Sequence, residues 1–117
     1  MYDFNYEKAT STEEAASKIS SADDGKFMAG GMTLLPTLKQ RLAMPSDVVD
    51  LGGIPDLVGI TVDDGAVTIG AMTPHAMVNA SAEVQQAIPA LAKLAGLIGD
   101  PMVRNRGTIG GSISNND

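Results

Sequence analysis

The feature that most restricts this chain is a short apolar run, Lys26 to Ala29, which stops on Gly30–Gly31 and turns within two residues into leucines at helical spacing. Leu34, Leu35, Leu38 and Leu42 repeat at i, i+1, i+4 and i+8, predicting a helix from Thr33 to Leu42. Pro36 sits early enough to occupy the first turn, where its missing N–H costs little. Pro45 stops the helix, and Val48 to Leu51 offers the next strand before Gly52–Gly53. Strand, glycine turn, helix, strand is the order of a compact βαβ unit. A further helix, Ser11 to Ser20, is expected ahead of it. Ser11 and Glu14 have capping-box spacing, and Ala15, Ala16 and Ile19 form a small apolar face. Ser21 to Gly25 reads as a turn.

The second half is patterned differently. Leu57 to Val62 and Ala66 to Ile69 flank Asp63-Asp64-Gly65, a hairpin signal because Asp and Gly tolerate positive φ in a tight turn. Thr73–Pro74 reads as an N-cap followed by proline at the first helical position. Ser81 starts another short helix with Glu83 near its positive end. Ile88–Pro89 begins a third, in which Leu91, Leu94, Ala95 and Ile98 form a stripe that Gly99 ends. Arg104 to Asp117 is polar and glycine-rich and reads as a loop. The seam near Gly52–Gly53 divides residues 1–53, a βαβ subdomain, from 54–117, a hairpin-plus-helices subdomain; both are small to stand alone. The fold class is α/β (α+β).

The 117 residues, 44% hydrophobic and 19% charged, suffice for a globular core. With aromatics confined to Tyr2, Phe4, Tyr6 and Phe27, that core must be aliphatic, and seven methionines supply adaptable filling. A net charge of −6 without a basic stripe argues against nucleic acid or an anionic membrane as partner. The absence of cysteine excludes disulfides, thiolate metal sites and iron–sulfur clusters from this chain, and one histidine, His75, does not make a zinc site. There is no apolar run of membrane-spanning length and no charged-then-apolar start, so the expected location is cytoplasmic, without membrane insertion.

Two segments have the composition of ligand-binding loops. In Ala29-Gly30-Gly31-Met32-Thr33 the missing Cβ atoms let the backbone bend and approach a ligand. The helix that follows presents unpaired N–H groups suited to a phosphate or pyrophosphate. Thr33 either caps that helix or gives its hydroxyl to the phosphate. The segment lacks the Gly-Lys-Ser/Thr of a P-loop and does not match G-x-G-x-x-G. An ordinary tight turn explains the same residues. Arg104-Asn105-Arg106-Gly107-Thr108-Ile109-Gly110-Gly111-Ser112 again joins open backbone to small hydroxyls, beside two of the eight basic residues. Two such loops in different halves suit a long anionic ligand along the seam; a solvated surface loop is the alternative. His75, after a helix start, reads as a capping or packing histidine, and Asp63–Asp64 as an exposed turn. No nucleophile–histidine–acid constellation is present, so a small-molecule hydrolase is disfavoured. No catalytic residue and no metal ligand are assigned.

Three segments then make the pattern specific. Phe27-Met28-Ala29-Gly30-Gly31-Met32-Thr33-Leu34-Leu35-Pro36, Ile69-Gly70-Ala71-Met72-Thr73-Pro74-His75-Ala76, and the stretch from Ile98 through Asp100-Pro101 to Ser112 occur in one order. Together, over essentially the whole chain, they resemble the medium, FAD-binding subunit of the molybdenum hydroxylases of the carbon monoxide dehydrogenase and xanthine dehydrogenase type. The resemblance implies the two-subdomain FAD-binding fold of the PCMH type, with FAD held between subdomains. It implies flavin contacts at Ala29, Gly30, Gly31, Met32, Thr33 and Leu34, and at Thr108, Gly110, Gly111, Ser112 and Asp117, with Ile98 and Gly99 also approaching FAD. Met32 stands where many relatives have a polar residue, so only its backbone can contribute.

In that family the pattern continues beyond the position of Asp117 with Pro-Ala-Ala-Asp, the rest of the second subdomain and a C-terminal domain. The resemblance therefore implies an N-terminal fragment, truncated within the second flavin-contacting loop. It further implies an oxidoreductase subunit in an electron-transfer relay. Substrate is oxidised at a molybdenum cofactor in a large subunit, and electrons pass through iron–sulfur clusters in a small subunit to FAD and on to an external acceptor. The alternative is a cofactor-free interaction module that docks on partner subunits.

Overall fold

The computed structural model describes residues 1–116 and divides the chain into two compact units, Met1–Asp56 and Leu57–Asp117. The first unit is a three-stranded parallel sheet, β1 (Asn5–Lys8), β2 (Gly25–Met28) and β3 (Asp47–Asp50), with α1 (Thr12–Ser21) and α2 (Leu34–Lys39) in the connections. Its strand order is β1-β3-β2, so the last strand made is the central one. Val48 and Val49, adjacent on β3 and therefore pointing to opposite faces, are both buried, so the sheet is covered on both sides at its centre. Around them Ala9, Ala15, Leu38 and Ile54 complete an aliphatic core.

The first strand has no sequence signature. Asn5-Tyr6-Glu7-Lys8 is polar and exposed along its length, which an edge strand permits. Pairing with β3 makes it a strand, assisted by Asn5 Nδ2 donating to Asp47 Oδ1 at 3.1 Å and by the Tyr6 hydroxyl donating to Asp50. The βαβ order read from the sequence is thus extended at its start to β-α-β-α-β.

Helix α1 begins as its capping residues dictate. Ser11 Oγ accepts from the Glu14 N–H at 3.1 Å. Glu14 reaches back to the Thr10 N–H at 3.0 Å, one residue earlier than a standard capping box, which accepts at the cap residue itself. Of the expected apolar face Ala15 is buried and Ile19 half-buried, whereas Ala16 is exposed. The second helix is shorter than its leucine spacing predicts. It ends at Lys39 because Arg41 turns left-handed (φ 57°). The Arg41 N–H then bonds to the Leu38 carbonyl at 3.0 Å and the Leu42 N–H to the Thr37 carbonyl at 3.1 Å, the two bonds of a Schellman ending. Leu42 lies beyond it and is exposed. The Arg41 guanidinium, 4.9 Å from the Tyr2 ring centroid, makes a cation–π contact there.

The second unit opens with a 3-10 turn at Pro55–Leu57 and the hairpin β4 (Ile60–Asp63) and β5 (Ala66–Ile69). Asp64 and Gly65 both have positive φ (45° and 75°), the two-residue turn that Asp-Gly favours. The first hairpin strand starts at Ile60, not Leu57, because the 3-10 turn occupies its expected beginning. Five helices follow: α3 (His75–Ala80), α4 (Ala82–Ala87), α5 (Pro89–Leu97), α6 (Pro101–Arg106) and α7 (Ile109–Asn115). Val78, Val84, Ala92 and Ala95 form the core, with Ile60, Val67, Ile69 and Leu91 packed against it. On α5 the buried side runs through Ala92 and Ala95, while Leu94 faces out (59% exposed), so the expected stripe is rotated. Small alanines let α3 and α4 approach where the longer leucine does not fit.

The largest correction is at the C-terminal stretch. Arg104 to Asn116 is not a loop but the end of α6 and all of α7. Asp100 Oδ1 accepts from the Val103 N–H at 2.9 Å with Pro101 at the first helical position, and Thr108 Oγ1 accepts from the Gly111 N–H at 3.1 Å. These two caps outweigh the glycines, each of which costs a helix about 1 kcal/mol.

The N-cap at Ser11 provides a direct test of the first unit. Ser11→Ala is expected to lower stability by about 1 kcal/mol in urea unfolding, and Ser11→Asp to hold it near the wild-type value. Equal losses in both variants would show that the side-chain oxygen is not what starts α1.

Candidate functional site

In the first unit the strand-to-helix loop keeps its backbone donors free. After β2 the chain turns at Gly31 (φ 77°), where a Cβ would lie 3.0 Å from Leu35 Cδ1 and the backbone angle itself disfavours any side chain. Gly31 and Thr33 carbonyls accept from the N–H groups of Leu35 (3.0 Å) and Thr37 (3.2 Å), which begins α2. Among the described residues, the N–H groups of Gly30, Gly31, Met32, Thr33 and Leu34 have no protein acceptor. Gly31 itself is a buried residue within this row of donors. Thr33 heads α2 and is exposed, and its side chain makes no capping bond.

The second unit brings two of the motifs together. Residues 71–75 and 107–110 run antiparallel, joined by the His75 N–H to the Gly107 carbonyl (3.0 Å), the Ile109 N–H to the Thr73 carbonyl (3.1 Å) and the Gly110 N–H to the Ala71 carbonyl (2.8 Å). The two backbones touch at Gly110, where a Cβ would sit 2.6 Å from the Ala71 carbonyl oxygen and 2.7 Å from Ala71 Cβ. Glycine here serves helix-to-strand contact. The Gly111 N–H is taken by Thr108 Oγ1 and the Ser112 N–H by the Thr108 carbonyl at 3.1 Å. The second loop therefore differs from the first, because its amides at Gly107 and from Ile109 to Ser112 are spent within the protein. Of its small hydroxyl residues Ser112 is exposed, whereas Thr108 is buried as the cap of α7.

Thr73 is not the N-cap that Thr73–Pro74 suggests. It is fully buried and its hydroxyl clamps Gly59, accepting from the Gly59 N–H at 3.0 Å and donating to the Gly59 carbonyl at 3.2 Å. Ile98 and Gly99 lie in the α5–α6 connection. Arg104 Nη1 donates to both carbonyls, at 3.1 and 3.3 Å, so this arginine closes the end of α5. Ala29, Gly30, Gly31, Met32, Thr33 and Leu34 form one continuous segment of the first unit. Thr108, Gly110, Gly111 and Ser112 open α7 in the second unit, and Asp117 lies outside the described residues.

His75 is the buried titratable group of the second unit (4% exposed). Its Nε2 lies 2.9 Å from Ser112 Oγ, and burial pushes its pKa below the ordinary 6.5. The pairing of His75 with Ser112 carries no local sequence signal, since 37 positions separate them.

These features, a parallel βαβαβ unit with a donor-lined glycine turn and a hairpin-and-helix unit, are those of a nucleotide-holding flavin domain. The chain belongs to the family described as the FAD binding domain in molybdopterin dehydrogenase, whose model matches residues 2–117. It is 45% identical over 112 residues to the carbon monoxide dehydrogenase medium chain of Hydrogenophaga pseudoflava, a match spanning 95% of this chain and 39% of that one. It is 41% identical over 115 residues to the 6-hydroxypseudooxynicotine dehydrogenase complex subunit alpha of Paenarthrobacter nicotinovorans, spanning 97% and 39% respectively. Among solved structures, the carbon monoxide dehydrogenase from Hydrogenophaga pseudoflava lacking the Mo-pyranopterin moiety of the molybdenum cofactor superposes with a TM-score of 0.94. That match has 44% identity over 97% of this chain and 40% of the other. The chain thus spans about 40% of the length of the relatives it matches. Among the described residues, no helix is long and apolar enough to cross a membrane.

Two outcomes follow. Gly110→Ala should destabilise the second unit by roughly 1–3 kcal/mol in urea unfolding, because the added methyl drives against the Ala71 backbone; a neutral result would show that the contact yields. The unfolded chain protonates His75 near pH 6.5, whereas the folded chain resists protonation until lower pH. The stability tied to neutral His75 is therefore complete above 6.5 and is lost as pH falls through the lowered folded value. The melting temperature of wild type should drop more steeply on acidification below pH 6.5 than that of His75→Gln; parallel curves would refute the assignment.

Proposed function

We propose that this chain holds the pyrophosphate of FAD within the flavin subunit of a molybdenum hydroxylase. On this reading, electrons from substrate oxidised at a molybdenum centre in a large subunit pass through iron–sulfur clusters in a small subunit to the flavin, and leave to an external acceptor. The observation that carries the reading is the row of backbone donors from Gly30 to Leu34 without protein acceptors, with buried Gly31 among them.

The residues fit the group. A pyrophosphate needs several donors converging on it and no side chain in the way, and a glycine turn of free N–H groups supplies both. Gly30, Gly31, Met32, Thr33 and Leu34 would bind it through backbone amides, with the uncapped Thr33 hydroxyl as a further donor and Ala29 keeping the approach open. Ser112 would contribute a hydroxyl, with Ile98, Gly99, Thr108, Gly110, Gly111 and Asp117 completing the proposed flavin-contacting set. Bound FAD supplies the electron chemistry, and the protein supplies binding and orientation. No acid, base or nucleophile is required of this chain.

The relatives named for carbon monoxide and for 6-hydroxypseudooxynicotine are similarly close, at 45% and 41% identity. Such different names at similar distance support a substrate chosen in another subunit, with the flavin step shared.

FAD titration of the complete gene product, followed by flavin absorption and fluorescence, tests this. Saturable uptake is expected, and Thr33→Val should weaken it by about tenfold, the loss of one hydrogen bond to a charged group, roughly 1.5 kcal/mol, with the fold unchanged. A gene product that takes up no flavin would overturn the reading and leave a cofactor-free docking module.

A further inference from the structure

Ser112 is an exposed residue whose hydroxyl meets a buried histidine, and the remaining polar atoms of that serine are already engaged. Its N–H donates to the Thr108 carbonyl, and its carbonyl accepts from the Asn116 N–H, both at 3.1 Å. The hydroxyl is what the residue can still offer, and one of its sites is taken by His75 Nε2 at 2.9 Å. The ring packs against the Gly107 backbone. The His75 N–H is bonded to the Gly107 carbonyl at 3.0 Å, and a Cβ on Gly107 would lie only 3.1 Å from the ring carbon Cδ2. We infer that His75 is a positioning residue, whose Nε2–H donates to Ser112 Oγ and thereby turns the Ser112 O–H outward as a donor to the bound flavin nucleotide. This rests on the FAD reading above.

A neutral imidazole carries one N–H. With the proton on Nε2, Ser112 Oγ accepts from it, and the serine hydrogen must find its acceptor on the outer side. With the proton on Nδ1, Nε2 accepts the serine hydrogen, and only oxygen lone pairs face outward. The phosphoryl and carbonyl oxygens of FAD are acceptors, so they are met by the first arrangement and repelled by the second. His75 Nδ1 has no protein hydrogen-bond partner among the described residues, so no other contact dictates the tautomer. Burial disfavours the imidazolium form, which keeps the choice between the two neutral tautomers. The arrangement also explains why a residue at the start of α3 and one on α7 are joined so closely: the histidine sets the direction of a single hydroxyl.

Two measurements on the complete gene product test this. Imidazole 15N NMR of the flavin-bound wild type, with the His75 signal assigned by its disappearance in His75→Gln, should show the proton on Nε2. A proton on Nδ1 overturns the inference. In FAD titrations, His75→Leu and Ser112→Ala should each raise the Kd by about five- to tenfold, and the double variant should be no weaker than Ser112→Ala alone. His75→Gln, which keeps a donor, should recover most of the affinity. Losses that multiply in the double variant, or an unchanged Kd in His75→Leu, overturn the inference while leaving the FAD reading intact. A wild type that takes up no FAD removes both.

Discussion

Close backbone approach between residues 71–75 and 107–110 is the constraint on which the second unit depends. Three inter-segment hydrogen bonds and the absence of a side chain at Gly110 bring the start of α7 against the chain leading into α3. From that contact follow the burial of Thr73 and Thr108, the pairing of His75 with Ser112, and the direction in which the hydroxyls of α7 face. The same contact consumes the amides that a glycine-rich segment would otherwise present. The second loop is consequently a side-chain surface, whereas the first is a backbone surface.

That contrast gives the two glycine pairs different work. At Gly30–Gly31 the turn follows an edge strand, α2 is short, and nothing in the first unit accepts the N–H groups from Gly30 to Leu34. At Gly110–Gly111 the residues are inside a helix that is capped by Thr108 and pressed on Ala71. In an acidic chain with net charge −6, the backbone dipoles of the Gly30–Gly31 turn supply local positive potential without a lysine or arginine cluster.

Much of the architecture was legible because its signals are local. Capping serines at Ser11 and Ser81, proline at the head of α5, the Asp64–Gly65 turn and the βαβ spacing each depend on a few neighbouring residues, and each appears as expected. The failures share a different cause. Strand β1 is polar and exists through pairing with β3. Leu42 and Leu94 are exposed because a left-handed Arg41 ends one helix early and because alanines face the core in the other. Helix α7 has glycines that disfavour a helix by propensity, whereas its cap and its contact with Ala71 decide its state. Arg104, one of the two arginines of the glycine-rich segment, is claimed by two carbonyls of the α5–α6 connection.

Sequence alone carried the family resemblance, the strand–turn–helix–strand order around Gly30–Gly31 and the Asp64–Gly65 hairpin, since glycines, caps and turn residues act through the chain's own dihedral preferences. Tertiary structure decided which donors remain free. Hydrogen bonding is a competition among all groups within reach, and most of the competitors for Gly110, Arg104 and Ser112 come from other elements of the fold. The strand-to-helix turn at Gly30–Gly31 keeps its N–H groups because no such competitor reaches it. The turn that most restricted the fold is therefore also the segment best suited to hold an anion.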